Sequence, residues 1–258
     1  MVQIPELQSY KNHCTELLFQ PLRVIVTLKQ AMILYDPLYL DNLLARAVLE
    51  MACGHAVLEN TPEPYEFPLP LKRLWTAENG CPLWAASVFL PDGEMITDVV
   101  YLHKRLDRFE FSERQPKSNV GRWMSRRIPY QTRQTKTHRW YALCVGNQDE
   151  IADLLTLIRF LGKRRNVGFG EVAQWDIEAW NDDELDTLIQ DEHLVHALPQ
   201  DAAGALGICP EGPPSLVGWT PPQWKPSLFS QGWRVGTAAL PTHAANAANS
   251  AARLMRNR

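Results

Sequence analysis

The chain has 258 residues, 45% hydrophobic and 21% charged, with a formal net charge of −3, enough to bury a core as one large domain or as a domain plus an extension. No apolar run reaches the ~18–20 residues of a membrane helix, and Met1–Gln20 lacks the basic-then-apolar order of a secretory signal. The five cysteines (Cys14, Cys53, Cys81, Cys144, Cys209) are odd in number and scattered without a CxxC pair, which argues against a zinc ribbon or disulfide framework and for a reducing cytoplasm.

The net charge conceals an asymmetry. From His103 to Arg139 eleven Lys and Arg residues face only Asp107, Glu110 and Glu113, so this segment carries +8 and the rest of the chain −11. One basic stripe on an otherwise acidic molecule is an electrostatic address for a polyanion.

In chain order, residues 1–20 read as a polar entry segment with a short helix around Cys14–Phe19. Arg23–Leu34 is an apolar, β-branched run that predicts a strand, ended by the Asp36–Pro37 turn. Asp41 stands where an N-cap would, before Leu43, Leu44, Ala47, Val48 and Met51 on one helical face, and Gly54 is the natural stop of that helix. Asn60–Pro70, with four prolines, predicts extended loop. Pro82–Leu90 reads as a second strand, closed by the turn Pro91-Asp92-Gly93.

The basic stripe follows as an insertion at about residues 95–138, too long for a tight hairpin connection. Arg139–Val145 predicts a third strand, Asp149–Leu161 an amphipathic helix with Ile151, Leu154, Leu155, Ile158 and Leu161 on one face, and Glu171–Ala179 a short fourth strand. Pattern alone therefore gives the order βαββαβ and an α+β class. Asn181–Glu192 is acidic, with room for one short helix. Pro199–Pro226, rich in Pro and Gly and carrying Trp219 and Trp224, predicts irregular coil packed on another surface. Ala244–Arg258 reads as a weak helix or a disordered basic tip.

Leu161–Val172, reading LGKRRNVGFGEV, places Lys163, Arg164 and Arg165 between Gly162, Gly168 and Gly170. A glycine-rich basic loop can bring bare backbone N–H groups and cations up to phosphates. The helix–loop–strand order and the lack of a GxxxxGK[ST] run exclude nucleotide hydrolysis. An ordinary αβ turn with solvated cations is the plain alternative.

The run G-K-R-R-x-x-G-F-G-E-V after a helix resembles the glycine-rich loop of the RAMP superfamily of CRISPR-associated proteins, and Leu22–Leu34 followed by DPLYLDNLLARAVLE agrees with the strand and helix that open such a domain. Across Leu22 to Trp180 the chain is similar to the RAMP subunit that caps the crRNA 5′ handle in type IV CRISPR effector complexes. The resemblance implies an RRM-like, ferredoxin-like domain over residues 1–180, with residues 181–258 as an irregular C-terminal extension. It also implies that the insertion is the finger or thumb set beside the crRNA–target duplex. The expected role is a cytoplasmic, non-catalytic crRNA-binding subunit of an antiviral ribonucleoprotein. Its expected partners are crRNA, target DNA near the guide start, a backbone RAMP subunit and a large subunit, with no membrane.

The candidate RNA-binding residues are Lys163, Arg164, Arg165, Gly168 and Gly170 of the loop, with Arg122, Trp123, Arg126, Arg127, Tyr130, Arg133, Lys136 and Arg139 of the stripe. Cations neutralise phosphates and aromatic faces stack unpaired bases. Trp140 and Tyr141, inside a strand, read instead as core anchors. The rival reading is a metal-independent endoribonuclease processing precursor crRNA, with His138, beside Lys136 and Arg139, or His103 as general acid or base. His193 and His196 beside Asp191 and Glu192 look like metal ligands on paper, but without a second ligand pair they read as a solvated acidic helix. No cofactor pattern is present, and none is expected.

Overall fold

The computed structural model describes residues 5–54, 67–105, 125–180 and 183–241. A short helix α1 (Gln8–Cys14) precedes the central strand β1 (Gln20–Leu28). Leu22, Val24, Val26 and Leu28 alternate along β1 and are buried against the helices, as the period-2 pleat requires. The predicted strand to Leu34 is in fact two: the chain turns after Leu28 and resumes as β2 (Met32–Ile33) in a different sheet.

Helix α2 (Leu40–Cys53) presents Leu40, Leu44, Ala47 and Val48 to the core. Each fully buried leucine or valine contributes roughly 1.5–3 kcal/mol. Its N-cap is Tyr39, without a side-chain cap, and Asp41 sits in the first turn instead. The reason is that Asp41 is wholly buried and committed elsewhere, as described below.

The predicted second strand is broken. Pro82–Trp84 (β4) pairs with β3 (Arg73–Thr76), and only Leu90–Pro91 (β5) runs beside the third strand, which is reached before that through a bridge from Ala86 to Cys144. Buried Ser87 causes the break: its N–H donates to Leu143 O, its Oγ accepts from Leu143 N, and its carbonyl accepts from Leu40 N. The next residue, Val88, donates to Val195 O. The main chain here serves a strand, a helix start and the C-terminal segment at once.

The basic insertion is built on a long antiparallel ribbon of β6 (Met95–Arg105) and β7 (Ser125–Thr135), with β2 on the far side of β7. Strand β8 (Arg139–Gly146) then pairs antiparallel with β1, and α3 (Gln148–Thr156) follows. Asn147 caps α3 by accepting from Glu150 N at 3.1 Å. The helix stops five residues short of the predicted Leu161, because Phe160 and Leu161 are drawn into pairing with Glu171 and Gly170. Strand β9 (Val172–Ala179) completes a four-stranded sheet of order β5–β8–β1–β9, every pair antiparallel, with α2 and α3 sharing its core face.

Residues 183–241 are not the irregular coil expected from their prolines. They form short strands β10 (Ile189–Gln190), β11 (His193–Leu194) and β12 (Leu198–Pro199), helix α4 (Gln200–Leu206), and strands β13 (Ile208–Pro210), β14 (Ser215–Gly218), β15 (Phe229–Trp233) and β16 (Ala239–Pro241). Leu188, Leu198, Ala202, Val217 and Trp219 close a second core together with Cys81 and Leu83. The β3–β4 hairpin therefore supplies part of that core, although it lies inside the first 180 residues. Prolines are tolerated because the strands are two to five residues long and belong to small two- and three-stranded sheets.

Candidate nucleic-acid interface

The glycine loop leaves α3 and doubles back on itself. Leu161 N–H donates to Gly170 O at 2.8 Å, Gly170 N–H to Ala31 O at 3.0 Å and Lys163 N–H to Ile33 O at 2.9 Å. Gly162 and Gly170 have positive φ, and a Cβ at Gly170 would fall 2.0 Å from Leu161 O, so only glycine fits there. The loop thus docks on β2, and through β2 it joins β7, where Ile33 pairs with Thr132 and Met32 with Arg133.

This corrects one expectation. The N–H groups of Lys163, Gly168 and Gly170 are taken by Ile33, Arg165 and Ala31 carbonyls and cannot also cradle a phosphate. The loop offers its side chains instead. Arg164, in the left-handed region at φ 59°, lays its guanidinium 4.6 Å from the centre of the Tyr130 ring and donates to the Tyr130 hydroxyl. Lys163 Nζ stands 4.3 Å over the Tyr35 ring. These cations are positioned on aromatic faces, unlike those of a freely solvated turn. Partial burial and the neighbouring Arg46 lower the pKa of Arg165, and Glu50 acts against them.

Beside the loop lies an open cavity of about 460 Å³ between α2 and the C-terminal segment. Tyr35, Arg46, Phe160 and Trp224 line it with Lys163 and Arg165. Sequence reasoning placed none of the first four in the site. The tryptophan-rich coil was the available signal, but it pointed only to packing on another surface.

The structure sets Arg164 on Tyr130 and Lys163 on Tyr35, with Arg165 at the adjoining cavity, while Arg133, three residues beyond Tyr130 on β7, pairs with Met32. Lys136 and Arg139 are elsewhere, at the foot of the ribbon, with Lys136 about 20 Å along the strand from Tyr130. Lys136 bonds Glu94 at 2.5 Å, and Arg139 pairs with Asp92 at 3.4 Å. Arg126 and Arg127 stand on β7 opposite Lys104 and His103. Arg122 and Trp123 lie outside the described residues, as does the Ala244–Arg258 end. Trp140 is buried in the core, as expected, while Tyr141 is half-buried beneath the Arg23 guanidinium, 4.2 Å from its ring centre.

His138 is exposed in the β7–β8 turn at φ 56°, its carbonyl accepting from Leu28 N. His103 is opposite Arg127, about 25 Å up the ribbon from that turn. The two histidines belong to separate places. The cations beside His138 in sequence already face carboxylates. His193 and His196 do not form a metal pair either, and among the described residues no cluster of three or more His, Cys, Asp or Glu side chains could hold a metal ion.

The architecture and the loop together define a class: an antiparallel α+β protein in which a glycine loop carrying three cations docks against a long β-ribbon. Residues 117–225 match the family model of the CRISPR type IV associated protein Csf3. The matched stretch holds β7 with Tyr130, the glycine loop and Trp224, and the match agrees with the resemblance read from the loop. A cryo-EM structure of the Type III-B Cmr-beta bound to cognate target RNA is similar at 14% identity and a TM-score of 0.35, covering 67% of this chain. This chain aligns with 65% of that one. No curated protein matches.

Proposed function

We propose that this chain is the non-catalytic subunit that holds the 5′ handle of crRNA in a type IV effector, working in the cytoplasm. The sheet order β5–β8–β1–β9, with α2 and α3 on one face, supports reading the N-terminal part as an RRM-like, ferredoxin-like βαββαβ domain. The observation that carries the reading is the Arg164–Tyr130 contact, which locks the glycine loop to the basic ribbon. Two basic segments 34 residues apart thereby form one phosphate-binding surface, and the RNA backbone lies along it. Base pairing by the guide, not this protein, reads the target DNA.

The neighbouring backbone and large subunits dock elsewhere. Strand β6 pairs only with β7 among the described residues and exposes Met95, Val99 and Tyr101. An unpaired apolar edge of this kind suits a protein contact.

The test is the salt dependence of binding to single-stranded repeat RNA. Replacing Lys163, Arg164 and Arg165 together with alanine lowers the log–log salt slope by up to about 2. An unchanged slope in a folded variant removes the loop from the site.

A further inference from the structure

We propose that the cavity beside the glycine loop receives one unpaired nucleobase of the bound RNA, with the adjoining phosphate on Lys163 and Arg165. The inference rests on the RNA-binding reading above and adds the place where a base leaves the stack.

Three features of the cavity converge. Its walls are apolar and aromatic: Leu43 and Phe160 line it, and two large rings stand at it with much of their surface in water, Tyr35 at 49% and Trp224 at 65% exposure. Trp140 and Trp219, by contrast, are 3% exposed, and among the described residues Trp224 is the one exposed tryptophan. A half-uncovered indole and phenol beside a cavity are faces on which a base can stack.

The second feature is charge. Lys163, Arg165 and Arg46 all line the cavity, with Asp36 as the one carboxylate among its lining residues. Arg46 lies close enough to Arg165 to lower its pKa. Glu50 partly offsets the crowding of the two guanidinium groups, and a phosphodiester on the cavity side would add a second anion to them.

The third is hydrogen-bonding capacity. Asp36 and Asn42 offer an acceptor and a donor–acceptor pair to the edge of a base whose faces rest on the rings. At about 460 Å³ the cavity lies in the size range of small-ligand sites.

The experiment uses the full chain and short single-stranded repeat RNAs carrying 2-aminopurine at one position at a time. Stacking changes the fluorescence of that base. The expected result is one position with a large change on binding, which Trp224→Ala abolishes and Trp224→Phe keeps. Trp224→Ala also weakens binding about tenfold while leaving the salt slope unchanged. If RNA binds with a loop-dependent salt slope but no position responds to Trp224→Ala, the cavity is not a base site, although the RNA-binding reading stands. If RNA fails to bind through the loop at all, both readings fall.

Discussion

His196 and Asp41 meet at 3.3 Å with neither side chain exposed, and they join the two cores. His196 Nδ1 donates to Ala197 O at 2.8 Å, and Asp41 Oδ1 accepts from Asn42 N–H at 2.7 Å and from Gln223 Nε2 at 3.4 Å. Tyr39 meets the imidazole edge-on at 5.1 Å. Asp41 belongs to the first turn of α2, where a carboxylate also suits the positive end of the helix dipole, whereas His196 and Gln223 come from the C-terminal segment.

Removing His196 leaves Asp41 buried without its imidazole partner, with only the Asn42 N–H and Gln223 left to it. His196→Ala is expected to lower unfolding free energy by about 3–5 kcal/mol. Urea denaturation of the variant measures it, and a loss below about 1 kcal/mol would mean that the pair does not join the cores.

The Arg164–Tyr130 contact predicts non-additive effects on RNA affinity. Arg164→Ala removes a cation and frees Tyr130, while Tyr130→Ala frees Arg164 from its place. A double-mutant cycle on repeat-RNA binding is expected to give a coupling of about 0.5–3 kcal/mol. Simple additivity would show that loop and ribbon bind RNA independently.

Much of this arrangement is written locally in the chain, and the rest is not. The alternation of Leu22, Val24, Val26 and Leu28 and the helical spacing of Leu40, Leu44 and Val48 are local, so β1, β8, β9 and α2 were legible. The break at Ser87 was not, because its partners Leu143 and Leu40 lie 56 and 47 positions away. The glycines and cations of the loop stood out as a cluster. Their anchors did not: Ile33, Tyr130 and Trp224 come from three distant segments. The C-terminal core was hidden by prolines that its short strands accommodate.

Burial gives the core a pH dependence at the alkaline end. The wholly buried Cys144 thiol on β8 has its pKa pushed up to about 12 by desolvation. In the unfolded chain a thiol ionises near ~8.5. The folded value is the higher one, so the unfolded state alone releases its proton in between. Stability is full below about pH 8 and falls as pH rises toward 12. Replacing Cys144 with alanine should flatten that part of the profile, at the cost of a small cavity. An unchanged alkaline slope in urea titrations at pH 8 and above would assign it to other groups.

Catalysis separates the two readings of the basic segment. An acid–base ribonuclease needs a histidine near the 2′-hydroxyl and a free cation near the scissile phosphate. The cations next to His138 face Glu94 and Asp92, and His103 is far up the ribbon. Both pairs at the foot of the ribbon are partly or largely solvent-exposed, so they hold their geometry only weakly. His138→Ala and His103→Ala are therefore expected to cost no more than one ordinary hydrogen bond, about 0.5–1.5 kcal/mol of RNA affinity. The purified protein, incubated with repeat RNA without metal, should leave it intact. Specific cleavage that disappears in His138→Ala while binding survives would make the protein a processing enzyme and reverse the non-catalytic assignment.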